Sequence, residues 1–331
     1  MTQSHPAASV TLTDLQAPLR PRLEAVQQEL QRIVAADFGL ITEVNAHLFR
    51  MQGKLFRPTL VLLSSAVEGR DPPRAVSLAA VVELVHVATL VHDDAVDHSA
   101  LRRGMPTINS AFSHQVSVIM GDFLYSRALS ELVRLGDIAP LAVFTAASNA
   151  LTLGEMRQLA ALDALAFSED DYDTLIESKT ASLFAAACEV GSLCGAQRHR
   201  GALTRFGQRL GMAFQVADDL LDYTEAQETT GKPTGLDLRE HKVTLPLIAA
   251  LRTMSPAARQ RVDTLFADPS PEDTLIAEVV EIVREEGGLE YARRRGEEFA
   301  QEAEEALAEL PPSPYRSSLG EAISYVMDRR S

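Results

Sequence analysis

Asp93-Asp94-Ala95-Val96-Asp97 and Asp218-Asp219-Leu220-Leu221-Asp222 are two copies of one pattern, D-D-x-x-D, each set in an apolar, helix-forming run. On a helix, the first and last aspartates of each copy stand four apart and share a face. Like charges at that spacing destabilise a helix, more so when partly buried, so something positive should offset them. Hard divalent cations take oxygen ligands of this kind, and two such sites imply a multi-metal centre that handles phosphate. For either copy alone the plainer alternative is a solvated, charged helix end. Leu84, Val85, Val87, Leu90 and Val91 precede the first copy and count against it, because solvated faces are seldom flanked by such a run.

Other candidates cluster around these carboxylates in the sequence. His86 lies seven before Asp93 and on the same helix face, although a lone helix histidine is more often structural. Arg102-Arg103 offers two guanidinium forks for two anionic groups, or simply neutralises an acidic helix end. Gly53-Lys54-Leu55-Phe56-Arg57-Pro58 sets two cations three apart where a helix begins, and helix starts bind anions; a plain basic turn is the alternative. Gln215 stands one turn before Asp218 and Asp219, and Lys179-Thr180 falls in a polar break between apolar runs. Lys232 and Lys242, in a polar stretch, read equally well as solvated lysines.

The elements that must position these groups read as helices. Helix-favouring residues and a helical apolar period run through nearly every long segment. Pro21 can open a helix through Leu23, Val26, Leu30 and Val34, and Pro58 another over Thr59 to Val67. Pro72-Pro73 ends a loop before the long apolar helix that carries the first aspartates. Further helices are expected near 115–135, 138–163, 171–195 and 200–223, then amphipathic ones from Asp273 to Arg329, broken at Pro311-Pro312-Ser313-Pro314. No run of period-two alternation flanked by hairpin turns stands out. The exception to the helical pattern is 225–242, rich in Gly, Thr, Pro and charge, a candidate lid directly after the second aspartates. The expected architecture is all-α: about a dozen helices in one bundle over 12–331, with 1–11 as a flexible tail.

Composition narrows the partners. A formal charge of −15 over 331 residues argues against nucleic acid or an anionic membrane as the main partner. Uncharged stretches such as 138–154 carry Thr, Ser, Asn and Pro and suit a buried helix better than a membrane span. No basic-plus-apolar leader opens the chain, and Cys188 and Cys194, six apart, match no metal or redox spacing. They read as buried thiols of a soluble, cytoplasmic protein with no stable membrane insertion.

Taken together, the two D-D-x-x-D sites, the G-K-x-x-R-P turn, His86, the Arg pair and Gly231-Lys232-Pro233-Thr234-Gly235-Leu236-Asp237-Leu238 with Lys242-Val243-Thr244-Leu245-Pro246 resemble the trans-isoprenyl diphosphate synthases, or polyprenyl synthetases, over roughly 40–330. One departure is visible: Gln52 and Leu55 replace the first Gly and first Arg of the family's G-G-K-R-x-R-P, while Lys54 and Arg57 remain. The resemblance implies the isoprenoid synthase type I fold, a helical bundle around a deep central cavity, and commonly a homodimer. It implies Mg²⁺, three ions, on an allylic diphosphate, with Asp93, Asp97 and Asp218 as direct ligands and Asp94, Asp219 and Asp222 as further ligands or support. Arg102, Lys179 and Lys232 would grip that diphosphate, and Thr180 and Gln215 would flank the reacting carbon. Lys54, Arg57, His86 and Arg103 would hold isopentenyl diphosphate.

The implied reaction is ionisation, condensation and elimination, repeated to a long trans-polyprenyl diphosphate. Bulky aromatics at the positions of Ala88 and Thr89 give short products in the family; both residues are small here, so about the octaprenyl class is expected, with Val85 further round the helix and Phe144 as a candidate floor. Alternatives are a shorter geranylgeranyl or farnesyl synthase, a class I terpene cyclase, an HD-type metal phosphohydrolase suggested by His92-Asp93 with His86 and His98, and a non-catalytic subunit of a heteromeric synthase.

Overall fold

The computed structural model describes residues 10–51, 53–160, 164–224 and 234–328. The expected loop residues 225–233, Lys232 among them, and the first nine residues of the expected tail lie outside the described residues. The chain begins with α1 (Leu12–Gln16), whose capping box pairs Thr11 with Asp14, and α2 (Arg20–Val34), opened by Pro21 and buried through Leu23, Val26, Leu30, Ile33 and Val34. α3 (Gly39–Arg50) and α4 (Phe56–Ala66) follow. α5 (Arg74–Val96) carries the first aspartates in its last turn. It is the one described helix long and apolar enough to cross a membrane, and most of its apolar window is buried by neighbouring helices, as in a core helix.

Two short strands, β1 (Leu101–Arg102) and β2 (Met105–Pro106), then pair antiparallel. Sequence patterning misses them because two residues show no alternation. Arg103 and Gly104 form the turn, both at positive φ (52° and 74°), which matches the right-handed twist of a tight hairpin. After α6 (Ile108–Ala111) come the long pair α7 (His114–Leu135) and α8 (Ile138–Ala160). The segment expected as one helix over 171–195 is three pieces: α9 (Glu169–Ile176), a π-helical turn (Glu177–Ala181) and α10 (Ser182–Gly195). α11 (Arg200–Thr224) carries the second aspartates.

The remaining helices are α12 (Leu236–Arg239), α13 (Leu245–Leu251), α14 (Pro256–Ala267), α15 (Asp273–Glu285), α16 (Gly288–Ala308) and α17 (Pro314–Met327). The expected break at Pro311–Pro314 is present, and a second falls at Gly287, held at φ 76°. Cys188 is buried, its thiol pushed up to about 12 by desolvation; Cys194 is only half-buried, so the expectation of two buried thiols holds for one.

α10 lies at the centre, packed on α4, α5, α8 and α11, while α11 packs on α16. Glycines four apart let these backbones meet. A Cβ on Gly191 would stand 2.5 Å from the Val61 carbonyl oxygen of α4, and one on Gly207 would stand 2.5 Å from the Phe184 carbonyl oxygen of α10. Because the obstacle is backbone, no rotamer relieves it. Gly191→Val is expected to destabilise the fold by about 1–3 kcal/mol, measurable as a lower midpoint in denaturant with an unchanged slope; an unaltered midpoint would show that the α4–α10 seam is looser than it stands.

Candidate active site

The three aspartates of each copy have different surroundings. In the first, Asp93 is half-buried, Asp94 buried and Asp97 exposed. The β1–β2 hairpin turns Arg102 back onto Asp94, with Nε at 3.0 and 2.9 Å from its two oxygens and Nη2 at 2.8 Å. Arg103, in the left-handed region, faces elsewhere and donates to the Met51 carbonyl at 3.2 Å. Two adjacent arginines thus take different partners, one a carboxylate and one a backbone carbonyl. Burial, then the charge of Glu155 nearby, pushes the Asp93 carboxyl up to about 6.

In the second copy Asp218 is exposed and Asp219 is buried. Asp219 accepts from the Tyr172 hydroxyl at 2.6 Å and from Gln215 Nε2 at 2.8 Å. Asp222 accepts from the backbone N–H groups of Leu236 (3.0 Å) and Asp237 (3.1 Å), satisfying the first donors of α12. The described end of the expected lid is therefore anchored on the second aspartate copy, and Lys242 reaches to within 3.9 Å of Asp97 of the first.

Lys179 and Thr180 sit in the π-helical turn. On a regular α-helix eight residues advance about 80° beyond two full turns, so Tyr172 and Thr180 would not share a face. A π turn takes more residues per revolution and removes much of that offset. Thr180 Oγ1 consequently reaches Gln215 Oε1 at 2.7 Å while Tyr172, on the same side, reaches Asp219. Lys179 pairs with Glu155 (2.9 Å) and Gln158 (3.1 Å) of α8.

Part of this set walls a cavity of about 510 Å³, while Asp94, Arg102, Asp218 and Asp222 stand outside its lining. Asp93, Asp97, Glu155, Lys179, Thr180 and Gln215 line its polar side, and Leu159, Phe167, Leu175 and Ile176 its apolar side. Asp237 lines it too, its carboxyl raised to about 7 by burial first and by Asp222 second. The cavity holds more carboxylate than local cations neutralise, and oxygen donors suit Mg²⁺. Among the described residues no three His, Cys, Asp or Glu groups close into a protein-only ligand set. That arrangement fits a cation that completes its shell with substrate phosphate and water, as Mg²⁺ usually does.

A smaller pocket of about 60 Å³ lies across α5, lined by Gly53, Glu83, His86, Arg102 and Arg103. Arg57 is in contact with it: Nη1 stands 3.1 Å from His86 Nε2 and the guanidinium lies 4.6 Å over the Phe184 ring. Burial lowers Arg57 to about 10 and holds His86 well below its ordinary range, with Arg57 the next cause. His86 is therefore the neutral acceptor for an arginine proton. Lys54 precedes α4 on the exposed rim, where its carbonyl accepts from Gln16 at 2.8 Å. The structure thus brings Arg57, His86 and Arg103 to one pocket.

Of the chain-length candidates, Val85, Ala88 and Phe144 are buried and Thr89 is half-buried, its hydroxyl on the His86 carbonyl at 2.8 Å. None of the four lines the 510 Å³ cavity. Residues that sequence reasoning passed over are Glu83, Glu155, Gln158, Tyr172 and Asp237. Glu83 could have been found one turn before His86, and Asp237 stands inside a quoted motif; Tyr172 gives no sequence signal.

The polyprenyl synthetase family model matches residues 39–283. The chain is 37% identical to an all-trans-nonaprenyl-diphosphate synthase (geranyl-diphosphate specific) of Rhodobacter capsulatus, over 96% of this chain and 97% of that one. It is 38% identical to the octaprenyl diphosphate synthase of Escherichia coli, over 86% and 88%. Its fold superposes with a TM-score of 0.92 on a polyprenyl synthase from Caulobacter crescentus, solved with calcium and isoprenyl diphosphate, at 33% identity over 98% of this chain and all of the other. The cyclase and HD-type alternatives fall with these findings. The chain belongs to the polyprenyl synthetase family, whose members use Mg²⁺, and is a trans-prenyltransferase.

Proposed function

We propose that the chain condenses isopentenyl diphosphate with an allylic diphosphate in successive trans additions, giving a polyprenyl diphosphate of about the octaprenyl class. The observation that carries the reading is the pairing of two pockets across α5, one acidic with an apolar wall and one cationic. Asp93, Asp97 and Asp218 would hold three Mg²⁺ ions, with Asp94, Asp219 and Asp222 as further ligands or supports. Such cations supply charge that balances the departing pyrophosphate.

Lys179, Arg102 and Lys232 bind the same diphosphate. One pair of unit charges about 4 Å apart at an effective dielectric near 20 is worth roughly 4 kcal/mol, nearly three decades of rate if felt only in the transition state. The allylic C–O bond breaks with its electron pair leaving on the pyrophosphate, and Thr180 and Gln215 turn oxygen toward the carbon left electron-poor. Lys54, Arg57, His86 and Arg103 hold isopentenyl diphosphate so that its double bond supplies the pair for the new C–C bond. A proton then passes from the adduct to an oxygen of the released pyrophosphate.

The long-chain reading is supported by the small side chains at Ala88 and Thr89 and by the names of the relatives above. Purified protein given Mg²⁺, labelled isopentenyl diphosphate and a short allylic primer should elongate it, and Ala88→Phe should shorten the dephosphorylated products. No elongation by the chain alone would favour the subunit reading, and products of unchanged length from Ala88→Phe would remove the pocket model.

A soluble, cytoplasmic homodimer is part of the proposal. Ile119 (67% exposed) and Val133 (68%) on α7, with Leu153 and Met156 on α8, give these two helices exposed apolar side chains that a second copy would cover. Ile119→Asp should shift sedimentation toward monomer; a monomeric parent protein would end the idea.

Asp93 and Asp237 keep their protons to higher pH in the fold than in the unfolded chain, where the ordinary value is 3.8. Their contribution to stability is full in acid and is lost as pH rises through about 6 and about 7. In metal-free protein Asp237→Asn should raise the melting temperature, and raise it more at pH 8 than at about pH 5.5. An equal effect at both pH values would contradict the assignment.

A further inference from the structure

Thr180, Gln215, Asp219 and Tyr172 form one chain of hydrogen bonds joining α9 and the π turn to α11. Thr180 Oγ1 donates to Gln215 Oε1 at 2.7 Å, Gln215 Nε2 to Asp219 Oδ1 at 2.8 Å, and Tyr172 Oη to Asp219 Oδ2 at 2.6 Å. Tyr172 and Asp219 are 2% and 5% exposed, so water does not substitute for either partner. A primary amide has a donor end and an acceptor end, and here the carboxylate tells them apart. By taking Nε2, Asp219 turns Oε1 toward Thr180 and the cavity. One hydrogen bond leaves a carboxylate free to rotate about its terminal torsion; the phenol supplies the second anchor. Tyr172 belongs to none of the motifs, and 47 residues separate it from Asp219.

We propose that Tyr172 is a positioning residue for prenyl transfer: by anchoring Asp219 it keeps the oxygen of Gln215, and not its NH₂ group, turned to the reacting carbon. The inference rests on the reading that Thr180 and Gln215 flank that carbon. An oxygen there favours developing positive charge, whereas an N–H pair opposes it. Neither substrate needs this oxygen in order to bind, so the loss belongs to the transition state and falls on kcat.

A double-mutant cycle of Tyr172→Phe and Gln215→Leu separates the possibilities, with kcat, both KM values and the melting temperature of the metal-free protein measured for each variant. Tyr172→Phe should lower kcat by about tenfold or more and leave both KM values within about twofold. In the Gln215→Leu background the same change should cost less than about twofold, because the amide it orients is gone. An unchanged kcat in Tyr172→Phe overturns the proposal, as does an equal loss in both backgrounds or a loss in which KM rises as the melting temperature falls. If Gln215→Leu alone leaves kcat intact, the reading of Gln215 beside the reacting carbon fails and takes this inference with it. Should Tyr172→Phe not fold, Tyr172→Leu replaces it in the cycle, and additive losses there overturn the proposal equally.

Discussion

Carboxylates collected around one half-buried cavity are the constraint under which the rest of this molecule is arranged. Among the described residues the cations nearby are matched to carboxylates: Arg102 to Asp94, Lys179 to Glu155, Lys242 to Glu240. Among the described residues no such bond reaches Asp93 or Asp237, and both are pushed toward the protonated form by burial. A surface with that imbalance would relax by opening to water. This one is held by helices whose packing faces sit elsewhere, and the electrostatic cost becomes affinity for positive charge.

The scaffold resists relaxation because its central seams are backbone against backbone. Gly191 and Gly195 seat α10 on α4, while Gly207 seats α11 on α10 and Gly211 seats it on the end of the π turn at Ala181. Side-chain seams can repack around strain, but backbone contacts of this kind leave little room to slide. The segments that bring in ligands from outside are short by comparison: a two-residue hairpin, a π turn and the four-residue α12. Rigid helices carry the aspartates, and tight irregular pieces bring their partners.

This division explains what could be read from the chain. Helix positions follow from local period and proline placement, so α2, α4, α5, α7 and α11 fall close to their expected places. Both aspartate copies and the cationic pocket residues were also legible, since motif spacing is local. The separate fates of three aspartates in one motif were not. Asp94 is met by an arginine eight residues on, Asp222 by amides 14 and 15 on, and Asp219 by a tyrosine 47 back. The π turn was equally hidden, because a change of backbone hydrogen-bond register leaves the composition of 171–195 helical throughout.

The β1–β2 hairpin has a further consequence. Its turn seats one arginine on Asp94 and the next beside the Met51 carbonyl, both on the wall of the cationic pocket, through a backbone held in the left-handed region at two successive residues. Asp94 faces that pocket while Asp93, its neighbour on α5, lines the larger cavity, so a single helical turn is the partition between the two.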